Sequence, residues 1–246
     1  MTLPLPSRKD EAWRYSDLAA LERIWPLPAP ENIVVPASGR LERTIVQDAP
    51  EGDAAVHQLS LSLGKGAKAR LDLLNLGGAF GRIEIDATLH EGADFALNAV
   101  QIGGASQVLE IVTRVRHAEP HATSRQIIRT VLAGKAVGTY LGKVAVDRDA
   151  QKTDAEQSVR AMLLDRTATA NAKPELEIYA DDVKCAHGAA VGELDSSGFF
   201  YLQSRGLPPA EARKLMLQAF VAGLFDGAPH GPELEQAALA KLGALV

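Results

Sequence analysis

The strongest constraint in this chain is an internal repeat. Residues 63–85, LGKGAKARLDLLNLGGAFGRIEI, align without gaps to residues 89–111, LHEGADFALNAVQIGGASQVLEI, at an offset of 26 positions (89 minus 63). Nine of the 23 aligned pairs are identical: Leu63/Leu89, Gly66/Gly92, Ala67/Ala93, Leu71/Leu97, Gly77/Gly103, Gly78/Gly104, Ala79/Ala105, Glu84/Glu110 and Ile85/Ile111. A fixed period of this length marks a solenoid, in which each turn buries its apolar face only by stacking on its neighbours. The unit holds strand-like runs and no helical stretch, so the natural solenoid is a parallel β-helix, with strands roughly 4.8 Å apart and alternate side chains pointing inward. A duplicated hairpin in a β-sandwich is the competing architecture.

Strand-like runs continue from about residue 40, as in RIEIDATL, ADFALNAVQI, VLEIVTRVR and PELEIYADDVKCA, separated by glycine or acidic turns. RHAEPHATS breaks the register as a loop insertion would, with strands resuming near Ile127. The ends read as helical. Residues 8–25 place Trp13, Leu18, Leu21 and Ile24 at helix-compatible spacing before the proline-rich PLPAP at 26–30. After Leu194 there is a glycine stop at Gly206, and Pro208 and Pro209 suit a helix's first turn. Leu215, Ala219, Phe220 and Leu224 then form an apolar stripe at helical spacing, and a last helix runs through PELEQAALAKLGAL. The expected organisation is a mainly β protein with three parts: a helical segment and linker at 1–38, a parallel β-helix at 39–195 and a helical domain at 196–246. The C-terminal stripe either caps the open end of the solenoid or faces a partner, with Arg213, Lys214 and Gln218 at its rim.

Charge and composition remove several function classes. The formal charge is −5, which argues against a nucleic-acid footprint. No apolar run reaches the roughly 18 residues that suggest a membrane span, and the N-terminus lacks the basic start and apolar core of a secretory signal. The expected address is therefore cytoplasmic. The single cysteine, Cys185, excludes an internal disulfide and a self-contained four-cysteine metal site.

Most candidate motifs lose on spacing. GTYLGKV has the wrong glycine spacing for a phosphate-binding loop, and Val144 stands where a magnesium-binding hydroxyl is needed. HEGAD at 90 lacks a second histidine, and Pro120 between His117 and His121 opposes the helical geometry a metal pair would need. The stretch YADDVKCAHGAAVGELD is more informative. On a strand, Val183, Cys185 and His187 share one face, with side chains two apart separated by roughly 6.6 Å. Thiolate plus imidazole suits iron–sulfur, zinc or copper(I) chemistry. Two other readings remain at this level: a small buried hydrophobe beside a satisfied core histidine, and a nucleophile with its base, for which no orienting third group is evident.

Residues 147–220, from DRDAQKTDAEQSV through KCAHGAAVGELDSSGFFYLQSRGLPPAEARKLMLQAF, closely resemble the core of the SufB/SufD iron–sulfur cluster assembly family, and RKDEAWRYSDL resembles its N-terminal arginine, tryptophan and tyrosine element. Within the family, DDVKCAHGAAVG is similar to the SufD branch. The resemblance implies a right-handed parallel β-helix with a helical C-terminal domain, in a non-enzymatic scaffold subunit. It also implies a cytosolic complex with a SufB-like protein, paired through the β-helices, and a SufC-like ATPase bound through the Pro208 to Phe225 region. The family's key histidine at the interface of the two β-helix proteins falls on His187, and its neighbouring cysteine on Cys185. These imply a transient iron–sulfur cluster shared with the SufB-like partner, with ATP entering only through the ATPase and the place of a flavin left open. Without partners, a homodimer is one state open to the chain. The N-terminal helical part is short for the family, and the reading from a different class is a β-helix enzyme that uses Cys185 and His187 on a small molecule or glycan.

Overall fold

The computed structural model describes residues 4–245. Twelve strands form two six-stranded parallel sheets that alternate along the chain. One sheet has the order β1 (Glu31–Val35), β3 (Ala54–Leu63), β5 (Phe80–Leu89), β7 (Val108–His117), β9 (Val137–Val146) and β11 (Thr169–Ile178). The other stacks β2 (Arg40–Gln47), β4 (Lys68–Asn75), β6 (Asp94–Gly103), β8 (Thr123–Leu132), β10 (Asp154–Leu163) and β12 (Lys184–Glu193). Each turn is one strand from each sheet, giving a solenoid of six turns. The sandwich alternative is excluded, because hairpin-linked neighbours would be antiparallel.

The repeat is the rise of one turn onto the next. Ala54 stands opposite Phe80 and Lys68 opposite Asp94, an offset of 26 in both cases (80 minus 54, 94 minus 68). Aligned leucines therefore stack, Leu63 on Leu89 and Leu71 on Leu97. From β5 to β7 the offset becomes 28, since Phe80 stands opposite Val108. Ile111 consequently stacks on Ile83 rather than on the Ile85 that the ungapped alignment offers. A two-residue slip keeps every side chain on its own face, so the apolar match survives the wrong register.

Inward positions fill one continuous core, including Leu61, Leu71, Leu73, Ile83, Ile85, Phe95, Leu97, Ile111, Ile128 and Val144. The first strand begins at Glu31, directly after the proline-rich stretch, so β1, the first half of the first turn, lies inside the 1–38 segment expected to be helix and linker. Strands resume at Thr123 rather than near Ile127: the HAEPH region is a short turn, with His121 at φ +62°.

The helical flanks lie on the outer faces of the sheets. The N-terminal part, a 3-10 turn at Glu11–Trp13 and helix α1 (Leu18–Glu22), lies over the β1–β11 sheet, where Leu21 packs against Phe80. The Asp17 carboxylate caps α1, accepting from the Ala19 and Ala20 amides at 3.1 and 3.0 Å. At the other end α2 (Ser196–Ser204) is capped by Asp195. It closes at Gly206, φ +92°, with the Gly206 and Leu207 amides donating to the Gln203 and Leu202 carbonyls.

Helices α3 (Pro209–Val221) and α4 (Gly231–Gly243) pack Leu217, Val221, Leu234 and Leu242 onto outward-facing Leu74, Val100, Ile102 and Val131 of the other sheet. This corrects the expected stripe. Leu215 is 45% exposed and Ala219 also faces solvent, whereas Ala212, Leu217 and Val221 are buried. The helices cover the side of the solenoid, because apolar residues on the outer face of β4, β6 and β8 need burial there. The end of the solenoid is left uncovered.

Candidate site at the open last turn

The last turn is an unfinished surface. Among the described residues β11 pairs only with β9 and β12 only with β10, so both present a free edge. Along β12 every residue is exposed except the partly buried Cys185. Parallel in-register pairing carries the facing of β10 into β12. Cys185 stands opposite Ala155 and His187 opposite Gln157, and both partners are buried. Cys185 and His187 therefore share one face, as the alternation predicted, and it is the solenoid's inner face, at the mouth where the next turn would lie.

The interior changes character on the way to that mouth. The inward column Leu71, Leu97, Gln126, Gln157, His187 runs from apolar to polar across consecutive turns. Tyr140 from the opposite sheet is the hub. Gln157 Nε2 donates to its hydroxyl at 3.1 Å, its hydroxyl donates to Gln126 Oε1 at 3.3 Å, and Thr113 Oγ1 lies 3.0 Å away while donating to Gln126 Oε1 at 2.7 Å. Gly142 makes this possible, because a Cβ there would sit 2.2 Å from the Tyr140 hydroxyl. Burial pushes the Tyr140 phenol well up, so it remains protonated. Gln157 Oε1 and Gln126 Nε2 are left without a partner. None of these four residues was singled out from the sequence. The available signal was a glutamine at an inward phase in SRQIIRTVL and again in DAEQSV.

Cys185 packs its side chain against the main core. Burial pushes its thiol up and Asp154 adds to this, while a hydrogen bond with the Ala155 backbone opposes. It is thus a protonated thiol near neutrality, which must lose its proton to bind a metal. An activated nucleophile requires the reverse shift. Among the described residues His187 also has no side-chain hydrogen bond to orient it as a base, so the enzymatic reading lacks its geometry. Among the described residues no three His, Cys, Asp or Glu side chains converge to hold a metal ion. The donor set at the mouth, one sulfur and one imidazole nitrogen, suits soft metal chemistry but is incomplete within one chain.

The other candidates fall away. His117 is buried, 2.9 Å from Ser124 Oγ, whereas His121 lies at the exposed turn, so the two do not meet. Lys143 lies within β9 and pairs with Glu177, far from a phosphate-loop geometry. His90 pairs with Glu119 at 3.0 Å. No helix among the described residues is long and apolar enough to cross a membrane.

Comparison with known proteins accords with this geometry. The profile described as SUF system FeS cluster assembly, SufBD core domain, matches residues 31–220, from the first strand to the end of α3. The chain is similar to the iron–sulfur cluster assembly protein SufD of Escherichia coli, 35% identical over 169 residues covering 68% of this chain and 40% of that protein. It is 35% identical to the SufBD family protein slr0076 of Synechocystis over 171 residues, 69% of this chain and 38% of the relative. It is 32% identical to the chloroplastic protein ABCI7 of Arabidopsis thaliana over 224 residues, 87% of this chain and 45% of the relative. The chain thus spans less than half the length of these relatives.

Proposed function

Since the chain belongs to the SufBD family of SUF-system iron–sulfur cluster assembly proteins, we propose that it is a SufD-like, non-enzymatic scaffold subunit that helps build nascent clusters. The observation that carries the reading is the open last turn, which offers Cys185 and His187 beside a free strand edge. A free edge is a template for another strand. A SufB-like partner pairing there would bring its own ligands against the two that this chain supplies. The iron–sulfur cluster is then cargo held at the junction. His187 offers an imidazole nitrogen to iron, and Cys185 can add a thiolate once its proton is lost. Without the partner, a second copy of this chain would use the same edge.

The ATPase arm falls on the C-terminal helices. The exposed face of α2 and α3, with Phe200 71%, Tyr201 56% and Leu215 45% exposed, carries large apolar and aromatic side chains of the kind that are buried at interfaces. We place a SufC-like ATPase there, on the Pro208 to Phe225 region. ATP would act only through that subunit, and its motion would reach the mouth through the packing of α3 on β8. The cytoplasm, or an equivalent internal compartment, is the setting this chemistry needs, because thiol ligands and nascent clusters require reducing conditions.

The test is co-expression with SufB-like and SufC-like partners and reconstitution with iron and sulfide, comparing wild type with His187→Ala. The expected result is an intact complex whose visible cluster chromophore is lost in the variant. An unchanged chromophore would remove His187 from the chemistry.

A further inference from the structure

The outer face of the β2–β12 sheet carries a pair of arginines without a counter-ion. Arg129 on β8 and Arg160 on β10 stand directly opposite each other in register, so their backbones are roughly 4.8 Å apart. Two other arginines on this face have acids: Arg70 has Asp72 at 2.8 Å, and Arg125 has Glu156 at 3.3 Å. Arg129 is partly buried, donates only to the Ile128 carbonyl at 3.1 Å and lies 5.8 Å from the Phe220 ring of α3. Arg160 has no hydrogen bond or ion pair among the described residues. Desolvation, with the Arg160 charge added, holds the Arg129 guanidinium below its ordinary value. Like charges facing each other across adjacent strands are destabilising unless something lies between them.

The surroundings are shaped to admit that something. Ser158, two residues before Arg160 on the same face, adds a hydroxyl with no hydrogen bond among the described residues. The neighbouring strand offers only Gly188 and Ala190 at the matching positions, and a Cβ at Gly188 would meet nothing within 4 Å. Phe220 walls one side. The chain as a whole is acidic, at −5, so this is a local cationic spot rather than part of a basic surface.

We propose that Arg129, Arg160 and Ser158 form a binding site for a phosphate-class oxyanion, either free phosphate or the terminal phosphate of a nucleotide. Two guanidinium forks and a hydroxyl supply donors around a tetrahedral group, and a dianion balances both charges. A single carboxylate would balance one. The site lies on the outer face and does not depend on the iron–sulfur reading of the inner one.

The test is a titration of the 15N-labelled full chain with inorganic phosphate, and separately with AMP, at ionic strength held constant with chloride. Saturable shifts at the Gly188 and Ala190 amides are expected, weakened about tenfold or more by Arg160→Gln, which removes one charge-assisted fork from an exposed position. Ser158→Ala should weaken binding by a smaller factor. Tighter saturation by AMP than by phosphate assigns the source to a nucleotide, and the reverse assigns it to the free ion. Non-saturable shifts, or shifts equal in wild type and Arg160→Gln, would overturn the proposal. Saturation by an acidic peptide alone would overturn it too, making the face a protein contact.

Discussion

Gln157 and His187 stand opposite each other on neighbouring strands, yet Gln157 is 1% exposed and His187 lies open at the mouth of the solenoid. The same inward column is structural at one step and a surface at the next. His187→Ala should leave stability within about 0.5 kcal/mol of wild type. Gln157→Leu, which removes a buried donor to Tyr140, should cost about 1–2 kcal/mol. Urea denaturation of both variants checks this, and a large loss in His187→Ala would show the histidine to be a packing residue.

The N-terminal element is a lid over a buried charge. Arg82 is fully buried, 3.9 Å beneath the Trp13 ring, and its guanidinium donates to Glu84 at 3.0 Å, Glu110 at 2.7 Å and the Ala12 carbonyl at 2.8 Å. Ser16 Oγ donates to the same Glu110 at 2.8 Å. Arg82→Met strands the buried Glu110 carboxylate, leaves Glu84 with Arg114 alone, and should cost about 3–5 kcal/mol. Trp13→Ala should cost about 3 kcal/mol through lost packing and ring contact. Because the residues touch, the double variant should lose less than the sum, which a double-mutant cycle measures.

Acid should weaken the fold in two separable windows. Burial holds the His117 imidazole down to about 4 from 6.5, so the unfolded chain takes up the proton first. A depressed folded value means the contribution is present above pH 6.5 and is lost as pH falls toward 4, by about 3 kcal/mol in full. Glu84 follows only below about pH 4.5: burial would raise its carboxyl, but Arg82 and Arg114 outweigh it and hold it low. His117→Gln should flatten the denaturation midpoint between pH 6.5 and 4.5 and leave the lower window in place. An unchanged slope would mean that another group titrates there.

Helix α3 separates its two faces cleanly. Leu217 is fully buried against the solenoid and Leu215 is 45% exposed. Leu217→Ala should lower stability by about 2–4 kcal/mol. Leu215→Ala should leave it within about 0.5 kcal/mol, but should reduce co-purification of a SufC-like ATPase. Retained binding in the Leu215 variant would move that interface elsewhere.

Much of the site could be read because it rests on local periodicity. The spacing of Cys185 and His187 places them on one face of any strand, and the structure puts them on the inner one. The polar network behind them was hidden, since Thr113, Gln126, Tyr140 and Gln157 come from four different strands and only stacking brings them together. The stripe on α3 was misread for a related reason: helical spacing allows several faces, and the apolar outer residues of β4, β6 and β8 choose among them.

What the sequence determined by itself is the period and the alternation, and these made the chain a stacked parallel solenoid, because each turn buries its apolar face only on a copy of itself. The tertiary structure alone decided the offset between turns, which varies from 26 at Ala54 and Phe80 (80 minus 54) to 32 at Val137 and Thr169 (169 minus 137). It also decided that the helices cover the side of the solenoid and leave its last turn open. Both follow from contacts between strands far apart in sequence, and a period of two is blind to them: it fixes which way a side chain faces and leaves open what it meets.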